Sequence, residues 1–350
     1  MGRTFELAPG YTVSRVIRGG WQLAGGHGAI DRDQAVADLV AAFDAGITTY
    51  DCADIYTGVE ELIGAARQKL ANERGAEEAA RMKVHTKLVP DLEKLRGISR
   101  AYISGIVDTS LGRLKTERLD LVQFHWWDYE APRYVEAMGW LDELRREGKI
   151  RNLGTTNFDV PRLAEIFAAG VSPISQQLQY SVLDRRPLNG LSAFAAAHGM
   201  KFLCYGTVAG GFLSERWLGA AEPEMPLENR SLVKYKLIID DFGGWALFQD
   251  LLRALKAVGD RHGADIATVA SAWALRQPLV AAVIVGARNQ QHVLANARIM
   301  DVALSDADLA TVQAVIDRSS GPKGDVYTLE RDRTGRHGSI MHYNLNAGKT

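Results

Sequence analysis

Short apolar runs alternate with amphipathic stretches along most of the chain. The apolar runs are β-prone and end at Arg18, Tyr50, Lys87, Phe124, Gly154, Gln179, Tyr205 and Val285. Between them, helical periodicity predicts helices at about 31–45, 59–73, 98–114, 134–147, 160–169 and 188–198. Parallel strands covered on both faces have such continuous apolar runs. Eight strand–helix units in about 300 residues predict a (β/α)8 TIM barrel.

A doubly wound parallel sheet is the alternative fold. Its phosphate-binding fingerprint places spaced glycines directly after the first strand, where they open a helix. Here the first strand is followed by Gly19 and Gly20, and the next glycines, at 25, 26 and 28, lack the third glycine at the required spacing. The barrel is therefore the preferred prediction.

Two segments depart from the alternation. Residues 206–245 contain paired glycines and two prolines, with little periodicity before Leu247, which predicts a lid or binding loop. The tail, 319–350, is polar, rich in Gly and Arg, and is either a frayed terminus or a strap across the active site. We therefore expect one barrel domain over 1–318, with additional loops and a C-terminal extension, 319–350, at the active-site mouth.

Composition excludes several classes of protein. The chain is 47% hydrophobic and 24% charged, as in soluble globular proteins. Its net charge of −1 provides no electrostatic basis for binding nucleic acid or an anionic membrane surface. No run of apolar residues is long enough to predict a membrane span. Because the two cysteines form no disulfide framework, a cytoplasmic location is expected.

Four candidate catalytic residues follow neighbouring predicted strands. In a barrel, active sites lie at the C-terminal ends of the strands. Asp51, Lys87 and His125 lie at the ends of the second, third and fourth strands, and Tyr56 lies in the loop after the second. A phenol, with a pKa of about 10, becomes a better proton donor beside a cation. We expect Lys87 to lower the pKa of Tyr56, Asp51 to hold Lys87, and His125 to orient a substrate oxygen.

Each of these residues also has an ordinary structural explanation when taken alone. An aspartate after a strand is usually a turn residue, and a lysine there is usually solvated. His125 and Asp128 have a spacing that permits metal ligation, but no third ligand is apparent, so no metal site is predicted. The four residues together predict proton delivery to a carbonyl oxygen while another group attacks the carbon.

The same residues carry a resemblance to a known family. Residues 51–60 read DCADIYTGVE and resemble the D-x-A-x-x-Y-G-x-x-E signature of the aldo-keto reductase superfamily. Residues 84–87 (VHTK) resemble its third-strand lysine element, and residues 119–126 (LDLVQFHW) resemble its D-L-x-x-x-H element. The resemblance implies a nicotinamide cofactor lying across the barrel mouth, hydride transfer between this cofactor and a carbonyl carbon, and proton donation by Tyr56.

The resemblance also assigns cofactor-binding residues. Residues 154–158 (GTTNF) are similar to the family's G-x-S-N-F, with Thr156 in place of serine. Thr156, Asn157 and Gln177 would hold the nicotinamide carboxamide, and Tyr205 would stack on the ring. Other residues implied to contact the cofactor are Gly20, Trp21, Gly206, Gly211 and Leu213.

The adenine end of the cofactor is assigned to the loop and helix after the last strand. Gly286, Arg288, His292 and Asn296 are the implied contacts. This segment departs from the family pattern, because Gly286 and Ala287 replace the usual lysine and serine, and His292 replaces an arginine. Arg288 could still bind a 2′-phosphate bidentately, so NADP(H) is favoured over NAD(H).

The predicted substrate is a small carbonyl compound, either an aldehyde, a ketone or a sugar. Trp21 and Trp126 should form an aromatic wall above Tyr56 and His125. One alternative function is a nicotinamide-binding redox-sensing module with slow turnover, related to channel β subunits. Another is a lyase or hydrolase in which Lys87 forms a Schiff base. The sequence leaves the substrate, the reaction direction and the choice between monomer and homo-oligomer open.

Overall fold

The computed structural model of the protein describes residues 2–24, 30–287 and 289–345. Its strands are β1 (Thr4–Ala8), β2 (Tyr11–Ser14), β3 (Val16–Gly19), β4 (Thr49–Asp51), β5 (Lys83–Leu88), β6 (Leu119–Phe124), β7 (Ile150–Thr156), β8 (Ser175–Gln179), β9 (Lys201–Tyr205) and β10 (Val280–Val285). Strands β3 to β10 are parallel and close into a barrel, with β10 pairing β3. The predicted (β/α)8 fold is confirmed, and every predicted strand ends within two residues of its expected position.

The helices surround the barrel. They are α1 (Arg32–Asp44), α2 (Val59–Arg74), α3 (Ala76–Ala79), α4 (Arg100–Leu114), α5 (Tyr134–Arg146), α6 (Val160–Ala168), α7 (Leu191–Ala197), α8 (Arg230–Phe242), α9 (Gly244–His262), α10 (Ile266–Leu275), α11 (Gln290–Ala297), α12 (Asp306–Ile316) and α13 (Thr328–Arg331). Asp31, Ser99 and Asp159 cap α1, α4 and α6 by accepting hydrogen bonds from free backbone amides. No helix in these described ranges is long and apolar enough to cross a membrane.

A hairpin of β1 and β2 closes the N-terminal end of the barrel. The sequence pattern treated 12–18 as one strand, and the structure divides it at Arg15. Before that point β2 pairs with β1, and after it β3 enters the barrel. The Ser14 hydroxyl accepts from the Thr49 amide and donates to the Val16 carbonyl, so a side chain replaces ladder hydrogen bonds at the break. Tyr11 and Val13 pack into the barrel floor.

Helix α8 lies within the segment for which the pattern predicted only a loop. Asn229 caps it, and Ile238, Ile239 and Phe242 are its buried apolar residues. Leu232 and Tyr235 in its first turns are partly buried and continue the same helical spacing, so the pattern is present in the sequence but begins soon after two prolines. The first turns pack over the turn that follows β9.

The described part of the tail, 319–345, runs along the C-terminal end of the barrel. The Ser319 hydroxyl donates to the carbonyl that ends α8, and the Gly324 carbonyl accepts from the Asn189 amide at 2.7 Å. The Leu92 amide, in the loop after β5, donates to the Tyr343 carbonyl at 3.1 Å. The tail therefore contacts the same end of the barrel as the predicted catalytic residues.

Candidate active site

A buried ion pair joins the ends of β4 and β5. Lys87 Nζ donates to Asp51 Oδ2 at 2.7 Å and to the Cys52 carbonyl at 2.9 Å. The two charged side chains are only 7% and 6% exposed. Asp51 Oδ1 accepts from the amides of Gln123, at 3.1 Å, and Gln177, at 2.6 Å. The carboxylate is thus hydrogen-bonded on both oxygens, which is what a buried charge requires.

The Lys87 ammonium is held in its charged form. Burial on its own would lower the pKa of Lys87, but the Asp51 carboxylate and the Tyr56 phenol outweigh burial and raise that pKa above its ordinary value. A permanently protonated amine is a poor nucleophile. This state suits an electrostatic role beside Tyr56 and disfavours the Schiff-base alternative.

Tyr56 lies against this ion pair. Lys87 Nζ is 5.0 Å from the centroid of the Tyr56 ring, and the ring of Trp21 meets it edge-on at 5.0 Å. Burial raises the pKa of Tyr56, Lys87 lowers it, and Asp51 raises it, with the net direction upward. Lys87 thus lowers the pKa of Tyr56 as expected, but burial outweighs this contribution. The phenol is protonated at neutral pH, as a proton donor must be.

His125 follows β6 and is a neutral imidazole. Its Nδ1 lies 3.0 Å from the carbonyl oxygen of Thr156. A carbonyl only accepts hydrogen bonds, so the proton is on Nδ1. Burial, assisted by Arg331 and opposed by the Thr156 carbonyl, lowers the pKa of His125 to about 3. Its Nε2 is buried and has no hydrogen-bond partner in the described residues. This nitrogen can accept a hydrogen bond from a substrate hydroxyl.

The residues assigned to the nicotinamide carboxamide lie next to the catalytic cluster. Thr156 ends β7, and Asn157 follows it in a left-handed conformation with a φ of 62°. The Asn157 side-chain oxygen accepts from the Tyr205 hydroxyl at 2.9 Å. Gln177 donates its amide to Asp51 and Gln123, so its carbonyl oxygen is the group it can still offer to a ligand. The roles of Thr156, Asn157 and Gln177 in cofactor binding stay predictions.

The turn after β9 is covered by α8. Lys234 Nζ lies 4.9 Å from the centroid of the Tyr205 ring. Gly206 has a φ of +77°, and a Cβ there would lie 2.8 Å from the hydroxyl of Tyr235. Only glycine fits this position, because the backbone is left-handed and the helix packs directly on it.

Gly211 and Leu213, which follow this turn, are also predicted to contact the cofactor. Gly211 has a φ of +103°, and a Cβ there would meet no other atom within 4 Å, so its conformation alone favours glycine. Leu213 is fully buried in the main core, and its amide donates to the Val208 carbonyl at 3.3 Å. The Leu213 side chain thus packs in the core, and the assignment of this residue to the cofactor stays a prediction.

Gly20 and Trp21 border the catalytic cluster from the end of β3. The Gly20 amide donates to the Asp51 carbonyl at 2.8 Å, and a Cβ at Gly20 would lie 2.8 Å from that same oxygen. Glycine is required here by the close approach of two backbones. Trp21 Nε1 donates to the Ser231 hydroxyl at 3.1 Å, which links the mouth to the first turn of α8.

The predicted adenine site is only partly described. The Gly286 carbonyl accepts from the Asn296 side-chain amide at 2.9 Å. A Cβ at Gly286 would lie 2.0 Å from the amide nitrogen of Gln22, so this side chain fills the space over the glycine. His292 is exposed in the first turn of α11. Arg288, on which the preference for NADP(H) depends, lies outside the described residues.

The tryptophan assignment on the substrate side needs a correction. Trp126 is fully buried; its ring packs against Phe124, and its Nε1 donates to the Asp128 and Ala131 carbonyls at 3.0 Å. It therefore has no free face towards the mouth. Trp127 instead meets the His125 ring edge-on at 4.3 Å. His125 contacts Trp127 and Tyr327, whereas Trp126 contacts Phe124 and Tyr134, so these two neighbouring side chains lie on different sides of the chain.

Residues that the sequence analysis missed complete the site. Gln123, on β6 in register with Lys87, was detectable as a polar residue in an apolar strand. Tyr327 in the tail meets the His125 ring at 5.6 Å. Arg331 donates to the Asn157 carbonyl and the Tyr129 hydroxyl, both at 2.7 Å. No local signal marks the two tail residues, because their partners lie far away in the sequence.

Comparison with known proteins assigns the family. The sequence model of the Aldo/keto reductase family matches residues 15–317. The chain belongs to the aldo/keto reductase family. An NADH-specific methylglyoxal reductase of Escherichia coli (strain K12) is 27% identical, over 87% of this chain and 95% of that protein. A probable voltage-gated potassium channel subunit beta of Oryza sativa subsp. japonica is 27% identical, over 90% of this chain and 95% of that protein.

The fold comparison agrees. A glycerol dehydrogenase from Gluconobacter oxydans superposes on this aldo/keto reductase with a TM-score of 0.73 and 26% identity, covering 90% of this chain and 95% of that one. The family predicted from the motifs is thus confirmed, and the protein is an oxidoreductase of the class that acts on carbonyl groups.

Proposed function

We propose that this aldo/keto reductase transfers hydride between a nicotinamide cofactor and the carbonyl carbon of a small substrate, with Tyr56 as general acid in reduction and general base in oxidation. The observation that carries the proposal is the buried ion pair beside the phenol. Lys87 Nζ lies 2.7 Å from Asp51 Oδ2 and 5.0 Å from the Tyr56 ring centroid. A phenol beside a buried ammonium supports the role of Tyr56 as the proton donor.

The chain's own residues fit the polar end of a nicotinamide. The Gln177 carbonyl oxygen can accept from a carboxamide, and the Thr156 hydroxyl lies on the neighbouring strand. When bound, the cofactor supplies hydride to the substrate carbon or takes it from there. The sequence favours NADP(H), whereas the Escherichia coli relative is named NADH-specific, so parallel titrations with NADPH and NADH decide the preference.

The proton side of the reaction follows from the geometry. In reduction, Tyr56 gives its proton to the substrate oxygen as negative charge develops there, and Lys87 stabilises the phenolate that remains. Asp51 holds the ammonium in place. His125 Nε2, as an acceptor, can orient a hydroxyl of the substrate or of the alcohol product. General acid catalysis of this kind contributes about 10²–10⁴-fold in rate.

The test is to compare Tyr56→Phe with Tyr50→Phe. Tyr50 is a matched control, because it lies on β4, the strand before the Tyr56 loop, and its hydroxyl donates to the Leu39 carbonyl of α1 at 2.8 Å. Tyr56→Phe should lower kcat for a panel of aldehydes and sugars by about 10²–10⁴-fold, while quenching of NADPH fluorescence shows unchanged cofactor binding. Tyr50→Phe should keep its rate. Equal rates in Tyr56→Phe and the native enzyme would overturn the role of Tyr56.

A slow redox-sensing module is the second candidate. The potassium channel subunit beta is a relative, and α8 and the tail are both tied down over the mouth, through Trp21–Ser231 and Arg331–Asn157. Slow cofactor release would follow from this. A pre-steady-state burst of one turnover followed by a much slower steady state would favour this candidate, and a linear time course would exclude it.

A further inference from the structure

Two cations on α8 face the barrel mouth. Arg230 and Lys234 are four residues apart, so they lie on the same face of the helix. The guanidinium carbon of Arg230 lies 5.9 Å from the centroid of the Trp21 ring. Lys234 Nζ lies 4.9 Å from the Tyr205 centroid and 5.9 Å from that of Tyr327.

The same aromatic rings border the proton-transfer residues. Trp21 meets the Tyr56 ring at 5.0 Å, and Tyr327 meets the His125 ring at 5.6 Å. Each cation is therefore separated from a predicted catalytic side chain by a single ring. A substrate with its oxygen at Tyr56 has these cations at the border of the same space.

Neither cation has an acidic partner with which it forms a hydrogen bond or an ion pair within the part of the chain that the structure describes. One guanidinium nitrogen of Arg230, Nη1, is buried without a hydrogen-bond partner. Two carboxylates raise the pKa of Lys234, those of Asp184 and Glu330, and both are ion-paired with Arg186, at 2.7 and 2.9 Å. They act on Lys234 only through space.

A neighbouring lysine on the same helix shows the contrast. Lys236 is turned to the other side of α8 and forms ion pairs with Glu222 and Asp240, both at 2.6 Å. Helix α8 thus pairs its buried Lys236 with carboxylates, whereas Arg230 and Lys234 contact aromatic rings and no carboxylate among the described residues.

An unpaired, partly buried cation is unfavourable. Burial lowers the pKa of Lys234, as expected for an ammonium that has lost water without gaining a hydrogen-bonded anion. Arg230 is also the first residue of α8, where the helix dipole disfavours positive charge. An anion between the two side chains would relieve both effects and could accept bidentate hydrogen bonds from the guanidinium.

We propose that Arg230 and Lys234 bind an anionic group, a carboxylate or a phosphate, of the carbonyl substrate. The inference rests on the proposed function and narrows its substrate class to anionic aldehydes, ketones or sugars. A phosphate of the cofactor has the same chemistry. Lys234 also faces Tyr205, which is assigned to the cofactor. We assign the anion to the substrate because Trp21 and Tyr327, the rings beside the two cations, contact Tyr56 and His125.

The test uses matched substrate pairs that differ by one anionic group. The pairs are 4-oxobutanoate against butanal, and D-glyceraldehyde 3-phosphate against D-glyceraldehyde. The native enzyme should prefer the anionic member of at least one pair in kcat/KM. Arg230→Gln and Lys234→Gln should each lower kcat/KM for that member about 10–100-fold and leave the neutral member within about threefold. Lys236→Gln, the control on the other face of α8, should keep the preference.

Measuring NADPH binding distinguishes an anionic group of the substrate from a phosphate of the cofactor as the group that the two cations bind. The Kd of NADPH, measured by fluorescence without substrate, should change less than threefold in Arg230→Gln and Lys234→Gln. Weaker NADPH binding combined with equal losses for both members of each pair would assign the cations to the cofactor and overturn the substrate proposal. Equal kcat/KM for charged and neutral members in the native enzyme would also overturn it.

A binding arm keeps the inference testable if no aldehyde turns over. In that case the proposed function fails, and calorimetry with 4-hydroxybutyrate against butan-1-ol, on protein saturated with NADP⁺, tests the cations directly. Preferential binding of 4-hydroxybutyrate that is retained in Tyr56→Phe and lost in Lys234→Gln supports the site. Absence of any preference for the anion rejects it.

Discussion

Replacing Lys87 with methionine removes one partner of the buried ion pair and leaves the other. Asp51 would keep its hydrogen bonds from Gln123 and Gln177 but would lose its counter-charge at a position only 6% exposed. Breaking a buried pair by removing one partner costs about 3–5 kcal/mol, because an uncompensated charge stays buried. We expect a loss of this size in the free energy of unfolding of Lys87→Met.

Lys69→Met is the matched control. Lys69 pairs with Glu73 at 2.6 Å, almost the distance of the buried pair, but the two side chains are 47% and 46% exposed. Exposed pairs of this kind contribute about 0.3–0.5 kcal/mol. Both variants lose the same group and the same formal ion pair, so the difference between them measures the effect of burial.

A double variant separates folding from chemistry. Asn at position 51 keeps an oxygen for Gln123 and Gln177 and removes the stranded charge, so Asp51→Asn/Lys87→Met should be more stable than Lys87→Met. Its hydride-transfer rate should stay at least about 10²-fold below that of the native enzyme, because Tyr56 still lacks its cation. The double variant should thus regain part of the stability that Lys87→Met loses, while its hydride-transfer rate stays low.

Denaturant unfolding followed by tryptophan fluorescence measures the stability of the four proteins, and single-turnover reduction measures their rates. Two results would refute the reasoning. One is a loss in Lys87→Met no larger than that in Lys69→Met, which would mean that water screens the pair. The other is a double variant less stable than Lys87→Met, which would mean that the Asp51 charge is not the source of the cost.

Two further predictions concern pH. The kcat/KM for reduction should be constant from about pH 5 to about pH 9 and fall only at higher pH. The reason is that the pKa of His125 is about 3 and the pKa of Tyr56 is raised above its ordinary 10.0. An inflection of the rate profile near neutral pH would contradict this prediction. Burial alone would raise the pKa of Glu330, but the ion pair with Arg186 lowers that pKa from 4.5 to about 2. The Glu330 carboxylate therefore contributes fully to stability above pH 4.5, and this contribution is lost as the pH falls through about 2. Because Arg186 keeps its pair with Asp184, Glu330→Gln should cost about 1.5–3 kcal/mol at neutral pH and converge with the native protein in acid. The exposed control Glu73→Gln should differ by no more than about 0.5 kcal/mol. Parallel curves of unfolding free energy against pH for Glu330→Gln and the native protein would contradict the assignment.

The barrel and its central ion pair were predictable because their signals are local. Each strand is a short apolar run, and the polar residue at its end marks the rim. Asp51 and Lys87 belong to adjacent strands of a parallel barrel, so their contact follows from strand order alone. The same argument did not separate Trp126 from Trp127, because a shift of one residue after the end of β6 changes which side chain faces the mouth.

Two parts of the site depended on tertiary packing. Tyr327 and Arg331 reach the cluster from the tail, and their partners lie about two hundred positions away in the chain. Arg230 and Lys234 look like ordinary surface cations in the sequence; only the packing of α8 turns them towards the mouth. Neither pair has a residue spacing that would indicate a role.

The amino-acid sequence by itself determined the barrel, the family and the set of groups at the ends of β4, β5 and β6. Apolar period and strand order are properties of neighbouring residues and can be read along the chain. The tertiary structure alone decided the direction of the Tyr56 pKa, the tautomer of His125 and the surroundings of the cations on α8. These depend on burial and on contacts between distant segments, which set the desolvation and the partners of each charge.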